Sequence, residues 1–289
     1  MKRLLLVSSV FAILGAACVQ APNHSNQLNV VASFYPLAYF AEQVGGEYTA
    51  VTTITPHGVE PHDFTPTPSD ILSSTQADVF IYNGGGLDTW AESLPIEDFQ
   101  NPSVIQIKVG SLGSDEDPHV WLSPTRMQEY VEQLRNAFSQ ADPTHAVDYQ
   151  HNAEQLVGRL QQLDTDYRTG LSTCAIRQAI VAHDAFQYLA DDYHIELLPI
   201  VGMNPNETPS AQQIAELSDL AREHGIEYIF FEELTSPKLS QVLAAEVGAQ
   251  AEVLSPVEGL TDAEQTAGAD YFILMEQNLR NLQLALRCN

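Results

Sequence analysis

Three histidines and one glutamate stand out among the 289 residues because each follows a short apolar run of strand character. His62 lies in Thr55-Pro56-His57-Gly58-Val59-Glu60-Pro61-His62-Asp63-Phe64, and His119 in Asp117-Pro118-His119-Val120-Trp121. His183 lies in Ala182-His183-Asp184, and Glu258 in Leu254-Ser255-Pro256-Val257-Glu258-Gly259. Imidazole nitrogens with one carboxylate suit a four-coordinate divalent ion, zinc above all. Any one such residue is more often structural or solvent-facing than a ligand. Four of them at the same topological position make a metal site the better explanation. The flanking acids Asp63, Asp117 and Asp184 are placed to orient the imidazoles. Ser255, Glu232 and Glu233 compete with Glu258 as fourth donor, since the two acids also end a strand (Phe230-Phe231). One of that consecutive pair must point away from the cleft. Pro237 soon after suits the other to a helix start. Pro256 rigidifies the approach to Glu258, and Gly259 is expected to permit a tight turn beneath it.

These residues need a scaffold that gathers strand ends. Leu28–Ala32, Tyr48–Ile54, Asp78–Tyr82 and Val104–Ile107 read as strands, with helices over Leu37–Val44 and Ser69–Thr75 between them. Strands alternating with helices predict a parallel sheet covered on both faces, with ligands collecting at the carboxyl ends. From Pro143 to Leu171 the apolar positions Val147, Leu156, Val157, Leu160, Leu163, Tyr167 and Leu171 mostly keep a spacing of three to four. Asp142-Pro143 starts this helix well. The alternation resumes with strands at Ala179–Ala182, Glu196–Ile200, Glu227–Phe231 and Ala251–Leu254. Helices are expected over Ala185–Asp191, Pro209–His224, Pro237–Val247 and Ala263–Leu286. The fold class is therefore α/β, two (β/α) lobes with mainly parallel sheets joined by one long rigid helix, the metal site in the cleft between them. The expected boundaries are 28–141 for the N-terminal lobe, 142–172 for the linking helix and 173–289 for the C-terminal lobe.

The first residues belong to targeting. Lys2 and Arg3 precede an apolar Leu4–Leu14 run too short to span a bilayer, and Leu14-Gly15-Ala16-Ala17-Cys18 follows. This resembles a bacterial lipoprotein signal (1–17), which implies lipid on Cys18, a polar tether over 18–27 and a membrane-anchored chain facing periplasm or cell exterior. Cys174 and Cys288 remain, and in an exported chain such a pair is expected to be bridged. With 12 Lys+Arg against 38 Asp+Glu the formal charge is −26, or −28 without Lys2 and Arg3. Nucleic acid and anionic lipid surfaces are poor partners for it.

The ordered motifs are specific. Gly58–Phe64, Asp117–Leu122 and Ala182–Phe186 resemble the three signature segments of the zinc/manganese solute-binding proteins of cluster A-I ABC importers. Phe34-Tyr35-Pro36-Leu37, Tyr82–Leu87 and Leu254–Thr261 also match, so the resemblance runs from 28 to 288. It implies two (β/α) lobes, a rigid linking helix, a metal in the cleft, and an ABC permease with its ATPase as partner. His62, His119 and His183 fall on the three histidine ligands. His183 stands where the manganese branch usually has Glu, which favours Zn²⁺, with Mn²⁺ the alternative cargo. Ser255 stands where some members have Asp, and Glu258 matches the branch that uses Glu. The long His-rich loop of many zinc-binding members is reduced here to Gly113-Ser114-Asp115-Glu116. His57 matches no ligand position and is expected to be incidental. The implied function is a monomeric extracytoplasmic Zn²⁺-binding protein, not an enzyme. A zinc-dependent hydrolase would need an open coordination position beside a general base, and the sequence has no HExxH helix. A surface adhesin has no supporting repeat or apolar motif.

Overall fold

The computed structural model describes residues 27–114 and 117–289. The signal segment 1–17, Cys18 and all but the last residue of the tether lie outside the described residues, as do Asp115 and Glu116.

The first sheet is built from β1 (Leu28–Ala32), β2 (Thr49–Thr53), β3 (Val79–Tyr82) and β4 (Ile105–Lys108), all parallel, in the order β2-β1-β3-β4. The central β1 and β3 are almost wholly buried, as a parallel sheet covered on both faces requires. Helix α1 (Tyr35–Gly45) follows β1, and α2 (Pro68–Thr75) and the one-turn α3 (Thr89–Glu92) follow in turn. Thr67 caps α2 through a reciprocal bond pair with Asp70, and Pro68 occupies its first turn, where no N–H is missed.

The segment expected as the rigid linking helix is the second half of a helical pair. Helix α4 (Pro124–Ala141), which sequence reading passed over, is capped by Ser123 and packs along α5 (Ala146–Gly170). The start proposed at Pro143 is a 3-10 turn over Pro143–His145. Asp142 organises that corner, its carboxylate accepting from Thr144 N–H (3.1 Å), His145 Nδ1 (2.5 Å) and the Tyr149 hydroxyl (3.0 Å). The 25 residues of α5 span about 37 Å. Its buried stripe of Tyr149, Ala153, Leu156, Leu160, Leu163 and Tyr167 faces α4, α1 and the last helix, so the connection is part of the core.

The second sheet repeats the first. Strands β5 (Gln178–Val181), β6 (Glu196–Pro199), β7 (Tyr228–Phe231) and β8 (Gln250–Val253) are parallel in the order β6-β5-β7-β8. Helices α6 (Gln187–Tyr193), α7 (Ala211–His224) and α8 (Lys238–Val247) connect them. The single helix expected over 263–286 is divided. α9 (Asp262–Ala267) stops at Gly268, whose φ of 72° is the left-handed helix end that glycine adopts most easily. Asp270 then caps α10 (Tyr271–Ala285). The expected Cys174–Cys288 disulfide is formed and fixes the chain end behind α10 to the segment after α5.

One apolar cluster runs through both lobes, from Val30 and Phe40 through Leu160 and Tyr167 to Val181, Phe230 and Leu282. Among the described residues no helix is long and apolar enough to cross a membrane.

Candidate metal centre

The strand orders place a switch point between β1 and β3 in one sheet and between β5 and β7 in the other, and the candidate residues cluster where the carboxyl ends face each other. His62 sits in a 3-10 turn, Pro61–Asp63, after β2. The Glu60 carboxylate accepts its backbone N–H at 3.1 Å. Two bonds hold this loop to the second lobe: Gly58 N–H donates to the Leu260 carbonyl (2.9 Å), and Asn206 Nδ2 donates to Asp63 (2.5 Å). His119 precedes the 3-10 turn Val120–Leu122, and His183 follows β5.

His62 Nε2 and His183 Nε2 each lie 3.3 Å from His119 Nε2. Glu258 Oε1 is 3.5, 3.4 and 3.7 Å from the Nε2 atoms of His62, His119 and His183. One donor atom from each of the four lies within 4.8 Å of all the others. Donors bound about 2.0–2.1 Å from a tetrahedral zinc ion stand about 3.3–3.4 Å from one another. The group therefore has nearly the dimensions of a zinc coordination sphere. Glu258 is buried, and among the described residues neither of its oxygens has a hydrogen-bond partner. A carboxylate buried in that way is costly unless a cation compensates it.

The imidazoles are aimed from behind. Asp117 Oδ1 accepts from both the backbone N–H and Nδ1 of His119, each at 2.9 Å. Glu232 Oε1 meets Nδ1 of His183 at 2.6 Å. A carboxylate oxygen accepts, so each Nδ1 is set to carry hydrogen, and each ring, once neutral, offers its Nε2 lone pair to the centre. Of the three flanking acids expected to do this, only Asp117 does. Asp63 instead bonds Asn206, and Asp184 accepts from Gln187 (2.6 Å) on its own lobe. Sequence reading treated Glu232 as a rival donor or helix-start acid. It is 49 positions from its partner, and only the pairing of β5 with β7 brings them together. Glu233 turns the other way, toward Ser255, and burial pushes its pKa up to about 7. The Ser255 hydroxyl accepts from Val257 N–H (3.3 Å).

The turn carrying Glu258 differs from the one expected. Gly259 has no left-handed φ, and a Cβ there would meet Leu234 Cδ1 at 3.0 Å. The left-handed residue is Val257, with φ of 57°, fully buried. A β-branched residue there is a steric outlier that its surroundings must enforce.

The electrostatics favour a cation at the centre of the group. Burial opposes charge on Glu258, but the imidazoles of His119, His62 and His183 hold its carboxyl well below the usual range. Burial also opposes a proton on His119, but Asp117 and Glu258 outweigh it and raise its pKa to about 9. Burial, then the charge of Glu258, lifts Glu60 to about 10, leaving Glu258 the charged member of that pair. His57 is exposed and lies apart from the donor group, lining a cavity of about 240 Å³ with Tyr35, Glu42 and Asp270.

Comparison with known proteins agrees with this geometry. The chain is 35% identical over 308 residues to the high-affinity zinc uptake system protein ZnuA of Bacillus subtilis (strain 168), covering 98% of this chain and 97% of the relative. It is 34% identical over 305 residues to the zinc-binding lipoprotein AdcA of Streptococcus pneumoniae (strain ATCC BAA-255 / R6), covering 98% of this chain and 61% of that longer protein. The crystal structure of the Zn(II)-bound ZnuA-like domain of Streptococcus pneumoniae AdcA superposes with a TM-score of 0.79 at 35% identity, over 90% of this chain and 99% of that one. Residues 30–285 match the family described as zinc-uptake complex component A, periplasmic (ZnuA), and the chain belongs to that family.

Proposed function

We propose that the protein captures Zn²⁺ outside the cytoplasm and hands it to an ABC permease, with His62, His119, His183 and Glu258 as its four ligands. The observation that carries this is the spacing of 3.3–3.7 Å along five of the six donor pairs, with the whole set within 4.8 Å, which fits a small tetrahedral ion held by three nitrogens and one carboxylate. Mn²⁺ favours more oxygen donors and a larger coordination number, so it fits this set poorly. Four protein donors leave no open position for a reactive water, which supports binding and release over hydrolysis. The single carboxylate lowers the net charge of the enclosed ion from +2 to +1 and so lowers the cost of burying it. In this reading 28–141 and 173–289 are the two lobes, 142–172 links them, and lipid on Cys18 keeps the monomeric protein beside its permease.

Competitive titration of metal-free protein with Zn²⁺ and Mn²⁺ at fixed pH, with a K-edge spectrum of the loaded form, tests the proposal. One tight zinc per chain with three nitrogens and one oxygen is expected. Tighter manganese binding, or a sulfur or all-oxygen shell, would overturn it.

A further inference from the structure

Trp121 lies two residues beyond His119, in the 3-10 turn that His119 precedes, in the first lobe, and is fully buried. The second lobe grips it at both ends. Its indole Nε1 donates to the Pro256 carbonyl at 2.7 Å, and its own carbonyl accepts from the Tyr271 hydroxyl at 2.6 Å. Pro256 is the residue before Val257, whose left-handed φ points the next side chain, Glu258, at the three imidazoles. From the other side Asn278 on α10 holds Ser255 by two bonds, Oδ1 accepting from its N–H (2.8 Å) and Nδ2 donating to its carbonyl (2.7 Å). The loop is thus pinned twice just ahead of its unfavourable residue, by its own lobe at Ser255 and by the opposite lobe at Pro256.

We infer that Trp121 is the positioning residue for the fourth ligand: its indole N–H, reaching across the cleft, keeps Val257 left-handed and Glu258 aimed before the metal arrives. This rests on reading the four-residue group as a zinc site. Without that bond the metal-free loop relaxes toward ordinary backbone angles, and zinc must then restore the strained turn at the expense of its own affinity. The bond also makes the His119 turn and the Glu258 loop one unit, so donors from two lobes keep one spacing. Nothing in the composition of the site marks Trp121, which touches no donor by hydrogen bond; its ring packs 5.2 Å from that of His119.

The test is a double-mutant cycle on the full mature chain with Zn²⁺ as the probe, read by competition with a chromophoric chelator. Trp121 is replaced by its benzothiophene isostere, which keeps the shape and lacks only the N–H, and by Phe, each with Glu258 and with Glu258→Gln. With Glu258 present the isostere is expected to weaken zinc about fivefold to tenfold, the effect of losing one hydrogen bond. The dissociation rate should rise to match. In the Glu258→Gln background the loss should shrink below about twofold, since Trp121 then has no carboxylate to aim. Trp121→Phe should follow the same pattern. Equal losses in both backgrounds would make Trp121 a packing residue, and no loss in either would remove it from the site; both overturn the inference. If His119→Ala leaves zinc affinity unchanged, the zinc reading itself fails, and that outcome is separable because it precedes any variant of Trp121.

Discussion

His119 and His183 are held differently from His62. Each of the first two is fully buried and rests its Nδ1 on a carboxylate, Asp117 or Glu232. The His62 side chain retains 6% exposure, and among the described residues no acceptor meets its Nδ1. Its loop is fixed through the backbone and through Asp63. The group therefore has a fixed floor of two oriented imidazoles, one from each lobe, and a solvent-side imidazole on a loop tied by a few polar bonds. Fixing ring orientation adds to affinity, whereas partial exposure gives the ion a way in and out. A protein that must bind tightly and still release needs both kinds of ligand.

The largest effects should fall on the floor. His119→Ala or His183→Ala is expected to weaken zinc by at least about a hundredfold (about 2.7 kcal/mol), and His62→Ala by at least about tenfold. Chelator competition measures all three, and equal losses would erase the distinction. Protons compete at the same place. The metal-free His119 is raised from 6.5 to about 9, so its proton stabilises the metal-free fold fully below 6.5 and that stabilisation is lost as pH rises through 9. Zinc must displace that proton, so affinity should strengthen about tenfold per unit from pH 7 toward 9 and level off above. Titration calorimetry in buffers of different ionisation enthalpy should count close to one proton released per zinc at pH 7. A flat profile from 7 to 9 would contradict the hold of Asp117 and Glu258 on that ring.

Removing the carboxylates behind the floor sharpens the comparison further. Asp117→Asn and Glu232→Gln should each weaken zinc by about tenfold to a hundredfold while three nitrogens persist in the K-edge spectrum. Asp184→Asn should leave it unchanged, and a loss there comparable to Asp117→Asn would mean the ring contacts do not set affinity. A similarly small effect on affinity is expected at the disulfide. Cys288→Ser opens a bridge between residues 114 apart and should cost roughly 2–4 kcal/mol of unfolding free energy in denaturant melts, with zinc affinity within about threefold of the parent.

Much of this was legible before any coordinates. The eight strands were found within a residue or two because parallel strands buried on both faces read as short β-branched and aromatic runs between turn residues. The four clustered residues were found because they share one topological position and match an ordered set of motifs. Helix α4 was missed although Ser123-Pro124 announces its start and Met127, Tyr130, Val131, Leu134 and Phe138 keep its stripe. Glu232 and Trp121 were beyond reach. Each acts through a partner 49 or 135 positions away, and side-chain direction at such distances is decided by sheet pairing and lobe packing, not by local pattern. The φ of Val257 contradicts local preference outright, as residues at strained functional turns often do.

The grip of α10 on Trp121 and Ser255 also bears on when a growing chain becomes competent. All three imidazoles have been made by residue 183, but Glu258, the Tyr271 and Asn278 contacts that fix its loop, and the Cys288 half of the bridge come in the last tenth or so of the chain. A polypeptide emerging amino end first thus carries donors long before it carries their arrangement. The four-donor arrangement is complete only once the final helix docks.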